Sequence, residues 1–254
     1  MATRRRKKKI RPRKDGRARE ILNRGPKKNV EILNYPHLKN TEIHAEGQLE
    51  PKAVSLIAIY PQAASVQEQP EHLVAHDSEG KLEAFPDFRI GLTTGEAVFI
   101  EVKPFDEFNK PEIRKQLGRV KRAVETQHKS RYVVLTEYAI ELQPRLDNVY
   151  LLLNYRYIQI PPDILSRIRS ALTGSTGMPF GDVLTTLCDG RLDICYSLIA
   201  RGYLRVDLML SPARTWTIYP SFEPAQQIHL FDLIGWPHQP GHRLLDPYSA
   251  RHDD

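Results

Sequence analysis

Phe85-Pro86-Asp87-Phe88-Arg89-Ile90-Gly91-Leu92-Thr93-Thr94-Gly95-Glu96-Ala97-Val98-Phe99-Ile100-Glu101-Val102-Lys103 is the stretch on which the fold turns. Two short apolar runs, Phe85 to Leu92 and Ala97 to Lys103, flank Thr93-Thr94-Gly95-Glu96, and a glycine-bearing link of that length closes a β-hairpin. Residues two apart on a strand share a face, so Glu101 and Lys103 point together while Val102 points into the core. The hairpin carries Asp87 toward that same side. Two carboxylates and an ammonium are thereby expected at one sheet edge.

Working outward, Asn109-Lys110-Pro111 offers a helix start with proline in the first turn. Ile113, Leu117, Val120 and Val124 then recur at helical spacing. Arg114, Lys115, Arg119 and Arg122 fall off that stripe, toward solvent or a polyanion. Arg131 to Glu137 reads as a buried strand. On the N-terminal side, Thr41 to Tyr60 predicts a helix that contains Glu50 or begins near Pro51. Ser65 to Leu73 predicts a short strand around Val66, broken by Pro70, and Asp77-Ser78-Glu79-Gly80 a turn. The order strand, strand, helix, strand describes an α/β sheet.

A change of composition at Val149 to Pro162 marks an expected domain junction. Beyond it, Asp163 to Leu172, Pro179 to Cys188 and Leu192 to Arg201 read as short helices, the last closed by Gly202. Tyr203 to Leu210 and Thr215 to Tyr219 read as strands, completing a winged-helix pattern. Ile194 and Leu198 are expected in its core. Arg201, Arg205 and Arg214 sit where such a module contacts a DNA backbone, although many winged helices bind protein instead. The predicted domains are a basic arm (1–28), a catalytic domain (29–148), a winged-helix domain (149–219) and an extended docking tail (220–254).

Charge is unevenly spread over the 254 residues. Met1 to Lys28 holds fourteen of the 37 Lys and Arg but two of the 31 Asp and Glu, a net +12 that leaves the other 226 residues at −6. The arm, with Arg4, Arg5, Arg6, Lys7, Lys8 and Lys9 at its head, predicts a DNA-grasping segment. Two cysteines, Cys188 and Cys195, give little support to a disulfide framework or a thiolate zinc site and read as small core residues. The nine histidines lack zinc-like company, and the Gly174 to Gly181 gap has no Gly-Lys-Ser/Thr after it, so no nucleotide site is expected. No apolar run reaches membrane-spanning length, and no apolar segment follows the basic N-terminus as in a secretory signal, so a soluble cytoplasmic protein with no membrane partner is expected.

Asp87, Glu101 and Lys103 are the set that phosphodiester hydrolysis asks for. Carboxylates supply hard oxygen ligands to Mg²⁺, which keeps waters and accepts phosphate oxygens. Lys103 can position or deprotonate the attacking water and offset charge. The Val102 carbonyl is a further possible ligand. Taken bare, the pattern also fits a surface salt bridge on a half-exposed sheet.

Gln48-Leu49-Glu50, Glu68-Gln69-Pro70, Phe85-Pro86-Asp87-Phe88 and Ile100-Glu101-Val102-Lys103-Pro104 together resemble the TnsA endonuclease family, the nuclease subunit of heteromeric bacterial transposases. Gly181-Asp182-Val183-Leu184, Asp193-Ile194 and Ile199-Ala200-Arg201-Gly202-Tyr203 are similar to that family's C-terminal winged helix. The resemblance spans roughly Asn40 to Leu210. It implies a restriction-endonuclease-like mixed sheet flanked by helices, with Glu50 joining Asp87 and Glu101 on Mg²⁺, Mn²⁺ substituting, and Lys103 serving the water. Glu46 competes with Glu50 for the helix carboxylate. Also implied are cleavage at the 5′ ends of a transposon, double-stranded transposon-end DNA as substrate, an integrase-type transposase partner and a regulatory ATPase. Two other readings stay open: a self-sufficient repair or junction-resolving nuclease of the same fold, and a non-catalytic DNA-binding adaptor.

Overall fold

The structure is a computed structural model, and it describes residues 29–39, 42–211 and 216–221. It is an α/β protein whose centre is a mixed four-stranded sheet. Strands β3 (Ala63–Glu68), β6 (Phe88–Leu92) and β7 (Ala97–Val102) pair antiparallel, whereas β8 (Arg131–Leu135) lies parallel to β7. The parallel neighbour requires a crossover. Pro111–His128 (α3) supplies it, after the short α2 (Phe105–Phe108).

Each face of the sheet has its own core. Val66, Phe88, Ile90, Val98, Ile100, Val102 and Leu135 face α1 (Leu49–Ile59) and α5 (Arg145–Leu153), joined by α4 (Glu137–Ile140). Phe99, Tyr132 and Val134 face α3 and a hairpin of β4 (Leu73–Asp77) and β5 (Gly80–Ala84). Helix α1 is buried on nearly every side from Ala53 to Ile59, as a helix between a sheet and a second helix must be. It contains Glu50, as expected, but begins at Leu49, eight residues after Thr41. Ile43–Glu46 is instead a strand (β2), paired antiparallel with β1 (Val30–Leu33), and Gly47 at φ +74° makes the turn into the helix.

The C-terminal part carries α6 (Pro162–Leu172), α7 (Phe180–Asp182) running into a π-helical turn (Val183–Leu187), and α8 (Leu192–Ala200). A small antiparallel sheet, in the order β10-β11-β9, accompanies them: β9 (Met178–Pro179), β10 (Leu204–Arg205) and β11 (Thr217–Pro220). The strand expected from Tyr203 to Leu210 is therefore two residues long. After it the chain is held to α5, where the Asn148 Nδ2 donates to the carbonyls of Leu208 and Leu210 at 2.8 Å each. The boundary expected between residues 148 and 149 falls inside α5, because that helix packs on α1 and on α8 at once. One buried cluster runs from Leu38 through Leu152 and Ile194 to Ile218. Ile194, Leu198 and both cysteines lie in it, the thiols free. No helix among the described residues is long and apolar enough to cross a membrane.

Candidate active site

Strand β7 is central, so its alternation is read by two cores. Val98, Ile100 and Val102 enter one, and Phe99 enters the other. Glu101 shares the Phe99 face, where it pairs in register with Val134 of β8 and is only 9% exposed. Asp87 sits at the bend immediately before β6. Its Oδ2 accepts the Val102 amide at 2.8 Å, and its main-chain carbonyl accepts the Gln69 amide at 2.7 Å. The Asp87 carboxylate thus caps β7 where its ladder with β6 stops. Lys103 is anchored through its own amide to the Leu135 carbonyl at 2.9 Å, and its Nζ lies 2.6 Å from Glu101 Oε1.

The structure therefore brings Asp87, Glu101 and Lys103 together. Burial, and then the Asp87 charge, raise the Glu101 carboxyl to a pKa of about 8, against the opposing pull of Lys103 and Tyr132. Burial would lower the Lys103 ammonium, but the Glu101 and Asp87 charges outweigh it and hold Lys103 above its usual range. Lys103 is accordingly a cation at neutral pH, fitted to orient and neutralise rather than to take a proton. Tyr132 lies in β8 beside Glu101. Burial, with the Glu101 and Asp87 charges adding, pushes its phenol well above 10. Its hydroxyl is buried and closes no hydrogen bond of ordinary geometry.

This donor set fits a hard divalent cation. A buried carboxylate that holds its proton because a second carboxylate faces it is stabilised by further positive charge, and both groups offer oxygen ligands. Glu50 is not gathered with them. It lies in the first turn of α1, on the other core's helix, and its Oε2 accepts the Glu46 amide at 2.7 Å. Among the described residues no three His, Cys, Asp or Glu side chains converge closely enough to hold an ion. Of Val102, it is the amide that is engaged, by Asp87.

On the basic face of α3, Arg119 and Lys115 meet acids of a neighbouring hairpin. Arg119 forms a two-pronged pair with Asp77, at 2.7 and 2.8 Å, and also reaches the Gly80 carbonyl at 2.9 Å. Lys115 Nζ lies 2.8 Å from Glu79. The β4–β5 hairpin, of which the sequence shows only the turn, brings these acids over the helix, and Arg119 latches the two together. Arg114 lies over the Phe108 ring at 5.7 Å, and the charge of Arg122 bears on Asp77. Arg201 and Arg205 lie over the rings of Tyr203 and Tyr219. Arg214 and the arm residues Arg4, Arg5, Arg6, Lys7, Lys8 and Lys9 lie outside the described residues.

Tyr132 is a site residue that sequence reading passes over. Its only signal is the parallel register of β8 with β7, which the residues alone do not disclose. No family model and no curated protein matches the chain.

Proposed function

We infer that this chain is a divalent-metal-dependent DNA endonuclease, and that it cuts the 5′ ends of a transposon alongside an integrase-type transposase under a regulatory ATPase. The carrying observation is the end of β7: Asp87 on the Val102 amide, Glu101 buried beside it, Lys103 on Glu101. A surface salt bridge does not ask for a carboxylate so far out of water and so close to a second one. The mixed sheet between α1 and α3 supports a restriction-endonuclease-like core. Helices α6 and α8, the α7 turn between them, and the β10-β11-β9 sheet support a winged helix.

Asp87 and Glu101 would hold Mg²⁺ or Mn²⁺, with Glu50 brought in from α1 as the third carboxylate. The chemistry such an ion supplies is polarisation of the scissile phosphate and a more acidic water. Lys103 donates to the water or a phosphate oxygen and offsets the charge that builds on phosphorus. Asp87 keeps the end of β7 at fixed distance from β6, so Glu101 and Lys103 are oriented before substrate arrives.

The test is cutting of an end-labelled duplex bearing transposon ends, with Mg²⁺, with and without the partner transposase. Cutting that needs the partner and disappears in Asp87→Asn is the expected result. Cutting by the chain alone favours a self-sufficient nuclease, and cutting that survives Asp87→Asn removes the assigned site.

A further inference from the structure

Strand β1 belongs to a two-stranded sheet, so one of its sides has no paired neighbour among the described residues. Which backbone groups face that side follows from the register. Val30 opposes Glu46 and Leu33 opposes Ile43, and the Gly47 amide donates to the Asn29 carbonyl at 2.9 Å, which makes Asn29 and Gly47 a hydrogen-bonded pair of the antiparallel ladder. Alternation then gives the inward bonds to Glu31 and Leu33 and turns the amides and carbonyls of Val30 and Ile32 outward. Strand β2 shows the same phase from its far side, where the amides of His44 and Glu46 turn away from β1 to the carboxylates of Glu68 and Glu50. No hydrogen bond among the described residues engages the outward groups of Val30 and Ile32, and the Ile32 side chain is 60% exposed.

An open edge of this kind is a template for one more strand, and proteins that keep such an edge single guard it with lysine, proline or a bulge. Asn29 to Tyr35 contains neither lysine nor proline, Pro26 and Pro36 stand outside it, and the β1–β2 register runs without a bulge. We propose that the β1 edge is a self-association surface, on which β1 of a second copy of this chain pairs antiparallel about a two-fold axis at Ile32. Outward groups must meet outward groups. An axis at Ile32 pairs that residue with its own copy and Val30 with the second copy's Asn34, on both sides of the axis, for about six hydrogen bonds. The two exposed isoleucines then cover each other, and Glu31 falls opposite the second copy's Leu33. An axis one residue earlier sets two Glu31 carboxylates face to face, and one residue later it brings Val30 against Pro36, which has no amide to donate.

A second copy suits this edge better than a loose peptide does. Strand β1 is already ordered by β2, so pairing two of them fixes little new backbone, whereas an unstructured strand loses conformational freedom at every residue it adds. Nucleic acid does not extend a strand ladder, and the stretch offers it a carboxylate and no cation.

The experiment is sedimentation equilibrium of the full chain over a wide concentration range, with thermal melts recorded alongside. Wild type is expected to follow a monomer–dimer mass-action curve. Ile32→Lys sets like charges at the axis and removes the apolar cover, so it is expected to weaken the dimer about tenfold or more. Its melt, taken at concentrations where both proteins are monomeric, is expected to match wild type, because the exposed Ile32 side chain and its outward polar groups take no part in the β1–β2 ladder. The register is read by oxidising Ile32→Cys with diamide. Cα atoms of such a pair lie about 5.5 Å apart, within disulfide reach, so a cross-linked dimer is expected, while wild type, whose Cys188 and Cys195 are buried, gives none. Glu31→Cys meets its own copy only across the diagonal and is expected to cross-link far more slowly.

Monomer mass at every concentration, with no cross-link through Ile32→Cys, overturns the proposal. A dimer that Ile32→Lys leaves unchanged overturns it too, since the contact then lies elsewhere, as does cross-linking that prefers Glu31→Cys to Ile32→Cys.

Discussion

Glu101 carries an unusual charge balance. Unfolded, its carboxyl titrates near 4.5; folded and free of metal, it titrates near 8 because it is buried opposite Asp87. Between those values the folded chain holds a proton that the unfolded chain has lost. Stability of the metal-free protein therefore falls as pH rises through that window and levels off above it. Melts in chelator at about pH 5 and about pH 9 are expected to show the loss, Glu101→Gln to flatten it, and Mg²⁺ to restore the alkaline value. Lys103→Ala is expected to cut strand cleavage by about 10²- to 10³-fold, the usual cost of one donor aimed at developing charge. Single-turnover cleavage at saturating DNA reads that loss directly. Asp87→Asn, which retains an acceptor for the Val102 amide, is expected to keep the wild-type melting point within a few degrees while losing cleavage.

Among the elements, the hairpin and the helix after it are legible because each declares its own period: Gly95 marks the turn, and Pro111 with the Leu117, Val120, Val124 stripe marks α3. The same local clarity makes Glu101 and Lys103 readable as neighbours. What stays hidden depends on contacts distant along the chain. Strand β2 is four buried residues, Ile43–Glu46, indistinguishable in composition from the helix that follows until its pairing with β1 is known. The β4–β5 hairpin shows only its turn, because His76, Asp77 and Lys81 give its ends a polar cast. Without that hairpin, the α3 cations look free. Arg119→Ala is expected to release β4–β5, seen as faster amide exchange there. It is expected to leave the global melting point close to wild type, since a single ion pair at the rim of the protein contributes little to overall stability, and to change DNA affinity little.

Across the whole molecule, two predicted domains share one interior. Gly202, at φ +76°, closes α8 with its amide on the Ile199 carbonyl, and a Cβ added there would come within 2.4 Å of Pro61 at the end of α1. Gly202→Ala is accordingly expected to lower stability by about 2 kcal/mol, through strained backbone and overpacking together. A chain truncated after residue 148 would sever α5 and strip α1 of its cover. It is expected to lack a cooperative melt, whereas residues 29–221 retain one.

Helix α5 leaves no seam along which the C-terminal part could swing away from the sheet. A protein docking on α8 or β10 would consequently push against the scaffold that bears Glu50 as though against one stiff lever. Any command such a visitor delivers arrives as a small displacement of α1 rather than as the opening of a jaw.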